Sequence, residues 1–178
     1  MTVLNSIMQF AMLPLQGLTQ GAQPIMSYNF GAKNAQRVRA TFKVLLRTCI
    51  LYSMTLWLLV QCFPGLFIGI FTPDQELIAY ATWGVRIFMG ATGIFGIQIA
   101  CQQTFIALGN AKVSVFLAIL RKIILLVPLI FILPQFFTNQ VLAVFLAEPV
   151  ADFLAVCTTA VLFSIQFKKT IKQLESNP

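Results

Sequence analysis

Glu148 and Asp152, in the run Ala147-Glu-Pro-Val-Ala-Asp152, are carboxylates set inside a long apolar stretch, four residues apart. On a helix that spacing puts both on one face, together with Phe145, Ala155 and Thr159. Two carboxylates so close in a medium of low dielectric constant can exchange a proton or hold a cation, so both are candidates for proton or ion coupling. Two other readings compete. Asp152 can be a structural partner of Arg121 or Lys122, and Glu148 can be solvated near the end of its segment.

Two further groups of polar side chains interrupt apolar segments. The first is Gly17-Leu-Thr19-Gln20-Gly21-Ala-Gln23-Pro24, followed by Ser27 and Tyr28. Gly17 and Gly21 permit close helix approach, and Pro14 and Pro24 free backbone carbonyls that need partners. Gln20, Gln23, Ser27 and Tyr28 are costly against lipid, which makes this segment a candidate cavity wall as well as a packing surface. The second group is Gln98, Gln102 and Gln103, with Phe95 and Phe105 at helical spacing. Gln98 and Gln102 share a helix face that either lines a wet cleft or bonds a neighbouring helix. The abundant phenylalanines and methionines suit packing and lipid contact, and some of them suit a greasy cavity for cationic ligands.

The elements that must position these groups follow from composition. The chain has 178 residues, 58% of them hydrophobic and 10% charged. A soluble domain carries roughly a quarter of its residues as charges. Apolar runs such as 48–71 and 87–111 exceed the roughly 20 residues that cross a bilayer core. An all-α polytopic membrane bundle with the lipid bilayer as its surroundings is therefore expected, with about five transmembrane helices: 3–28, 44–71, 77–108, 113–133 and 141–167. The fourth is interrupted by Arg121 and Lys122, and a second register makes 110–122 a surface helix and starts the span at Ile123. Residues 1–167 form the bundle and 168–178 a basic tail.

The net charge of +7 does not point to nucleic acid, because the basic residues fall between apolar runs. Lys33, Arg37, Arg39, Lys43, Lys112, Lys168, Lys169 and Lys172 alternate along the chain with the acidic turn at 72–76 and the uncharged turn at 134–140. By the positive-inside rule this puts the N-terminus of the chain outside and the basic tail in the cytoplasm. Single cysteines without Cys-x-x-Cys spacing, and no histidine, argue against a disulfide framework or a metal site. No nucleophile with a paired base and no phosphate loop is visible, so an enzyme is not expected. An odd number of spans entering from outside, without a basic leader, is the expectation for a piece of a longer transporter.

The stretch Gly17-Leu-Thr-Gln-Gly-Ala-Gln-Pro-Ile-Met-Ser-Tyr-Asn-Phe-Gly-Ala-Lys-Asn34 with Arg37-Val38 resembles the eighth-span signature of the multidrug and toxic compound extrusion (MATE) family. Gln102-Gln-Thr-Phe-Ile-Ala-Leu-Gly-Asn110, with Ser114 and Arg121 downstream, and Glu148-Pro-Val-Ala-Asp152 are similar to later segments of the same family. The resemblance implies spans eight to twelve of a twelve-span, two-lobed exporter of the plasma membrane. Such a protein expels cationic drugs by alternating access in exchange for protons or sodium ions, with no other cofactor. It implies that an N-terminal lobe is missing from this chain, and it makes Gln20, Gln23, Asn29, Gln98 and Gln102 cavity-lining candidates beside Asp152. One family branch places coupling acids on spans seven and ten. The segment matching span ten carries none beyond its start, so the principal coupling acid can lie outside this chain. A flippase for lipid-linked precursors, and a channel or scaffold without transport, are the alternatives. A flippase for an anionic lipid needs more cations in its cavity than Arg86, Arg121 and Lys122 offer.

Overall fold

The computed structural model of the chain describes residues 2–71 and 73–176, so Thr72 of the expected acidic turn, and Met1, Asn177 and Pro178, lie outside the described residues. The described residues form helices joined by short turns: α1 (Thr2–Gly31), α2 (Ala35–Cys62), α3 (Pro64–Gly69), α4 (Gln75–Phe88), α5 (Thr92–Ala107), α6 (Ala111–Ile119), α7 (Val127–Phe136) and α8 (Gln140–Ser176). A π-helical segment, Leu120–Leu126, joins α6 to α7 without a break. Among the described residues three helices are long and apolar enough to cross a membrane: α2, the composite Ala111–Phe136, and α8. A fourth crossing forms if Ala81–Phe88 and Thr92–Ala107, bent by 42°, are taken as one span. α1 has 30 residues, about 45 Å of helix, but its amides and hydroxyls keep it off that apolar count.

Several expected boundaries shift for local reasons. The basic stretch expected between the first two spans, 29–43, holds only a short turn: Lys33 takes a left-handed conformation, and Asn34 caps α2 by accepting from Arg37 N at 3.0 Å. Arg37, Arg39 and Lys43 therefore ride on the first turns of α2. The second span ends at Cys62, not Phe71, because Pro64 cannot continue the helix and instead opens α3. The third span is broken at 89–91, where Gly90 N bonds Ile87 O. A side chain at Gly90 would press on that same carbonyl at 3.0 Å. Between α5 and α6 the turn is made by Gly109 at φ +78°, a conformation that favours glycine. α8 runs past Phe167 to Ser176 without interruption, so the basic residues at 168–172 are helical.

α5 sits at the centre, against α1, α2 and α8. Its contact with α2 is close because Gly96 has no side chain. A Cβ there would overlap the Cys49 carbonyl and lie 2.6 Å from Ser53 Oγ. Ser53 Oγ also donates to Gly93 O at 2.7 Å, tying the two helices where both are buried. By contrast nothing lies within 4 Å of a Cβ built at Gly17 or Gly21, so the close approach those glycines permit is not made here.

The outer surface carries large apolar side chains such as Phe10, Leu51, Phe131, Phe153 and Ile165, all more than half exposed. Such a surface suits lipid or neighbouring membrane helices, not water. At one end Ser27 Oγ donates to Ala107 O at 2.9 Å, Arg39 pairs with Glu175 at 2.9 Å, and Val38, Leu108 and Ile171 pack together. That end gathers the ends of α1, α5 and α8 and the start of α2, and with them most of the lysines and arginines.

Candidate functional site

A cleft of about 450 Å³ opens among α1, α5, the π segment and α8. α1 contributes Asn5, Met8, Gln9, Met12, Gln16 and Gln20, spaced so that one stripe of the helix faces inward. α5 contributes Phe95, Ile99, Gln102 and Gln103 from a single face. Arg121 and Lys122 enter from the π segment and Glu148 from α8. A larger hollow of about 510 Å³, among α2, α5 and α8, presents apolar groups such as Met54, Trp57 and Phe153. The chemistry is in the smaller one.

The electrostatic centre of the cleft is a four-charge cluster. Arg121 Nε donates to Asp152 Oδ1, and Arg121 Nη2 lies 3.4 Å from Glu148 Oε1. Lys122 Nζ donates to the same Glu148 oxygen at 2.8 Å. The Arg121 guanidinium also stands 4.3 Å from the Phe95 ring centroid, within cation–π range. Side-chain exposure is 13% for Arg121, 10% for Glu148 and 3% for Asp152, whereas Lys122 is 54% exposed. Buried ions require partners, and each carboxylate here has at least one cation.

The π segment explains how two consecutive residues reach one carboxylate. Its i→i+5 turn is wider than an α-turn and brings neighbouring side chains closer in angle. Pro128, at the start of α7, donates no backbone hydrogen bond, and its ring crowds the carbonyl four residues back, at Ile124 inside the segment.

Gln20, Gln102 and Glu148 share this cleft. Asp152 lies behind Arg121, 2% exposed and off the lining. Glu148 is buried and doubly paired, not solvated at a helix end. Gln98 is 1% exposed within the helix packing, and its Oε1 has no hydrogen-bond partner. Gln23 is half-buried outside the cleft, and Asn29 turns its amide back to Ile25 O at 2.8 Å near the end of α1. Sequence reasoning passed over Asn5, Gln9 and Gln16. Their helical spacing with Gln20 was the available signal.

A family model described as MatE matches residues 1–132. The multidrug export protein MepA of Staphylococcus saprophyticus is 24% identical over 171 residues, which is 95% of this chain and 37% of that protein. Among solved structures, the MATE multidrug transporter DinF-BH, solved in complex with a ligand, is 35% identical, with a TM-score of 0.80 over 89% of this chain and 35% of its own. Inward-facing and outward-facing structures of a multidrug resistance MATE family transporter, each 13% identical, both give a TM-score of 0.86 over 95% and 96% of this chain and 39% and 38% of theirs. The chain thus spans little more than a third of the length of the proteins it matches. With residues 1–132, well over half of its length, matched by that model, this membrane helix bundle belongs to the MatE family.

Proposed function

We propose that the chain forms most of the C-terminal lobe of a multidrug exporter that expels organic cations in exchange for protons or sodium ions. The observation that carries this is a cleft of amides, an aromatic ring and the ion-paired Glu148, with Asp152 buried behind it, inside an apolar-surfaced bundle of the MatE family. Amides and carboxylates in that position are expensive in hydrocarbon and are found where a pathway or a substrate uses them. The likeness of this lobe to both inward-facing and outward-facing relatives supports a mechanism in which a lobe of fixed fold rocks against a second one. The missing lobe supplies the other wall of the central cavity, in the plasma membrane. The basic end of the bundle faces the cytoplasm.

Asp152 and Glu148 are the coupling candidates within this chain, with Gln20 and Gln102 as hydrogen-bonding wall. The test is ethidium flux in proteoliposomes holding the full-length gene product, with an imposed pH or sodium gradient. Flux that follows either gradient, and collapses with it, is expected. Ethidium movement indifferent to both gradients would refute coupled export and favour a channel, and no movement at all would favour a scaffold.

A further inference from the structure

Three features meet at Arg121. Its guanidinium lies over Phe95, contacts Asp152, and stands 3.4 Å from Glu148. An aromatic face flanked by two carboxylates is the chemistry that recognises a planar organic cation. Here the planar cation already in place is a side chain of the protein. Arg121 also lines the cleft, while Asp152 does not, so a molecule entering past Gln16 and Gln102 meets the guanidinium before it can reach Asp152. The π segment that carries Arg121 departs from regular α geometry, and its return to an α-turn would swing the side chain around the helix axis.

We propose that Arg121 is a tethered competitor: it occupies a cation site formed by Phe95, Glu148 and Asp152, and an organic cation enters that site only as the guanidinium leaves. The proposal rests on the cation export proposed above and adds the place in this lobe where the cation binds and what holds that place when no cation is bound. Lys122, which shares Glu148 and is half exposed, keeps one carboxylate paired during the exchange.

The experiment measures ethidium binding to the purified full-length transporter by fluorescence anisotropy, beside ethidium flux in proteoliposomes. Arg121→Gln should bind ethidium about tenfold more tightly than the unaltered protein, the order of one desolvated cation–π contact. Millimolar methylguanidinium should bring that affinity back toward the starting value, because it restores a competitor without the tether. Adding Asp152→Asn to Arg121→Gln should remove the gain. Equal or weaker binding by Arg121→Gln overturns the proposal.

Arg121→Gln leaves two buried carboxylates with one cation and can fail to fold for that reason alone. The double variant Arg121→Gln with Glu148→Gln removes one charge of each sign. It should bind ethidium more tightly than Glu148→Gln alone, and equal affinities overturn the proposal in that background. Absence of gradient-driven ethidium flux in the unaltered protein would sink the exporter reading separately, while the binding comparison still decides the role of Arg121.

Discussion

Asp152 and Glu148 stand one helical turn apart, yet the bundle treats them differently. Asp152 has one cation and almost no exposure, whereas Glu148 has two cations and borders the cleft. Asp152→Asn keeps an oxygen acceptor for Arg121 and removes the charge, so the fold should persist while gradient-driven efflux falls at least tenfold. Glu148→Gln strips two cations of a shared partner, and it should lower the thermal stability of the full-length protein in detergent more than Asp152→Asn does. A loss of about 1–3 kcal/mol is the scale of a buried charged hydrogen bond. Efflux unchanged in Asp152→Asn, at equal protein level, would give this acid a structural role only. The pair itself was legible in its i, i+4 spacing. That Arg121 would stack on Phe95 was not, because the contact joins residues distant in the chain and depends on a π turn that no residue pattern announces.

At the scale of elements, periodicity and apolar length located the helices well and their interruptions poorly. The breaks at Pro64 and Gly90 have local causes that hydropathy averages away. The fourth crossing, expected over 113–133 despite Arg121 and Lys122, is one continuous helix from Ala111 to Phe136, not a surface helix followed by a span from Ile123, and its widening at those two residues is what apolar length does not show. The glycines teach the same lesson. Gly17 and Gly21 have the spacing of a packing motif and face an open groove, while Gly96 holds α5 against α2. Gly96→Ala should therefore destabilise the full-length protein by about 1–3 kcal/mol, the usual cost of overfilling a tight contact. Gly17→Ala should stay within about 0.5 kcal/mol, as for a substitution that meets nothing. Thermal melting of the two variants in one detergent checks both. A larger loss in Gly17→Ala would show that another helix of the whole transporter sits on that groove.

For the whole molecule, the basic end of the bundle sets a testable orientation. Ala35 is buried, but Gln36 beside it is exposed. A cysteine at Gln36 in an otherwise cysteine-free protein should react with an impermeant thiol reagent in inside-out vesicles. Labelling from outside intact cells would reverse the proposed topology. The chain covers little more than a third of its relatives, and alternating access needs two lobes. Residues 1–178 expressed alone should therefore leave a sensitive host as susceptible to ethidium as the empty vector does, and raised resistance would mean that copies of the chain assemble into a transporter.

The buried cluster also bears on the electrical work of transport. The formal charges of Arg121 and Lys122 balance those of Glu148 and Asp152, so in the exporter proposed above the cluster adds no net charge while all four are ionised and nothing is bound. A balanced cluster moves no net charge across the transmembrane potential when its lobe reorients. Once the same lobe holds one additional monovalent cation, reorientation against an inside-negative voltage costs up to about 2.3 kcal/mol per 100 mV. In the exchange proposed above the voltage opposes the outward, drug-loaded half of the cycle and favours the inward half that carries a proton or sodium ion, so an inside-negative potassium diffusion potential would slow drug exit and speed the return.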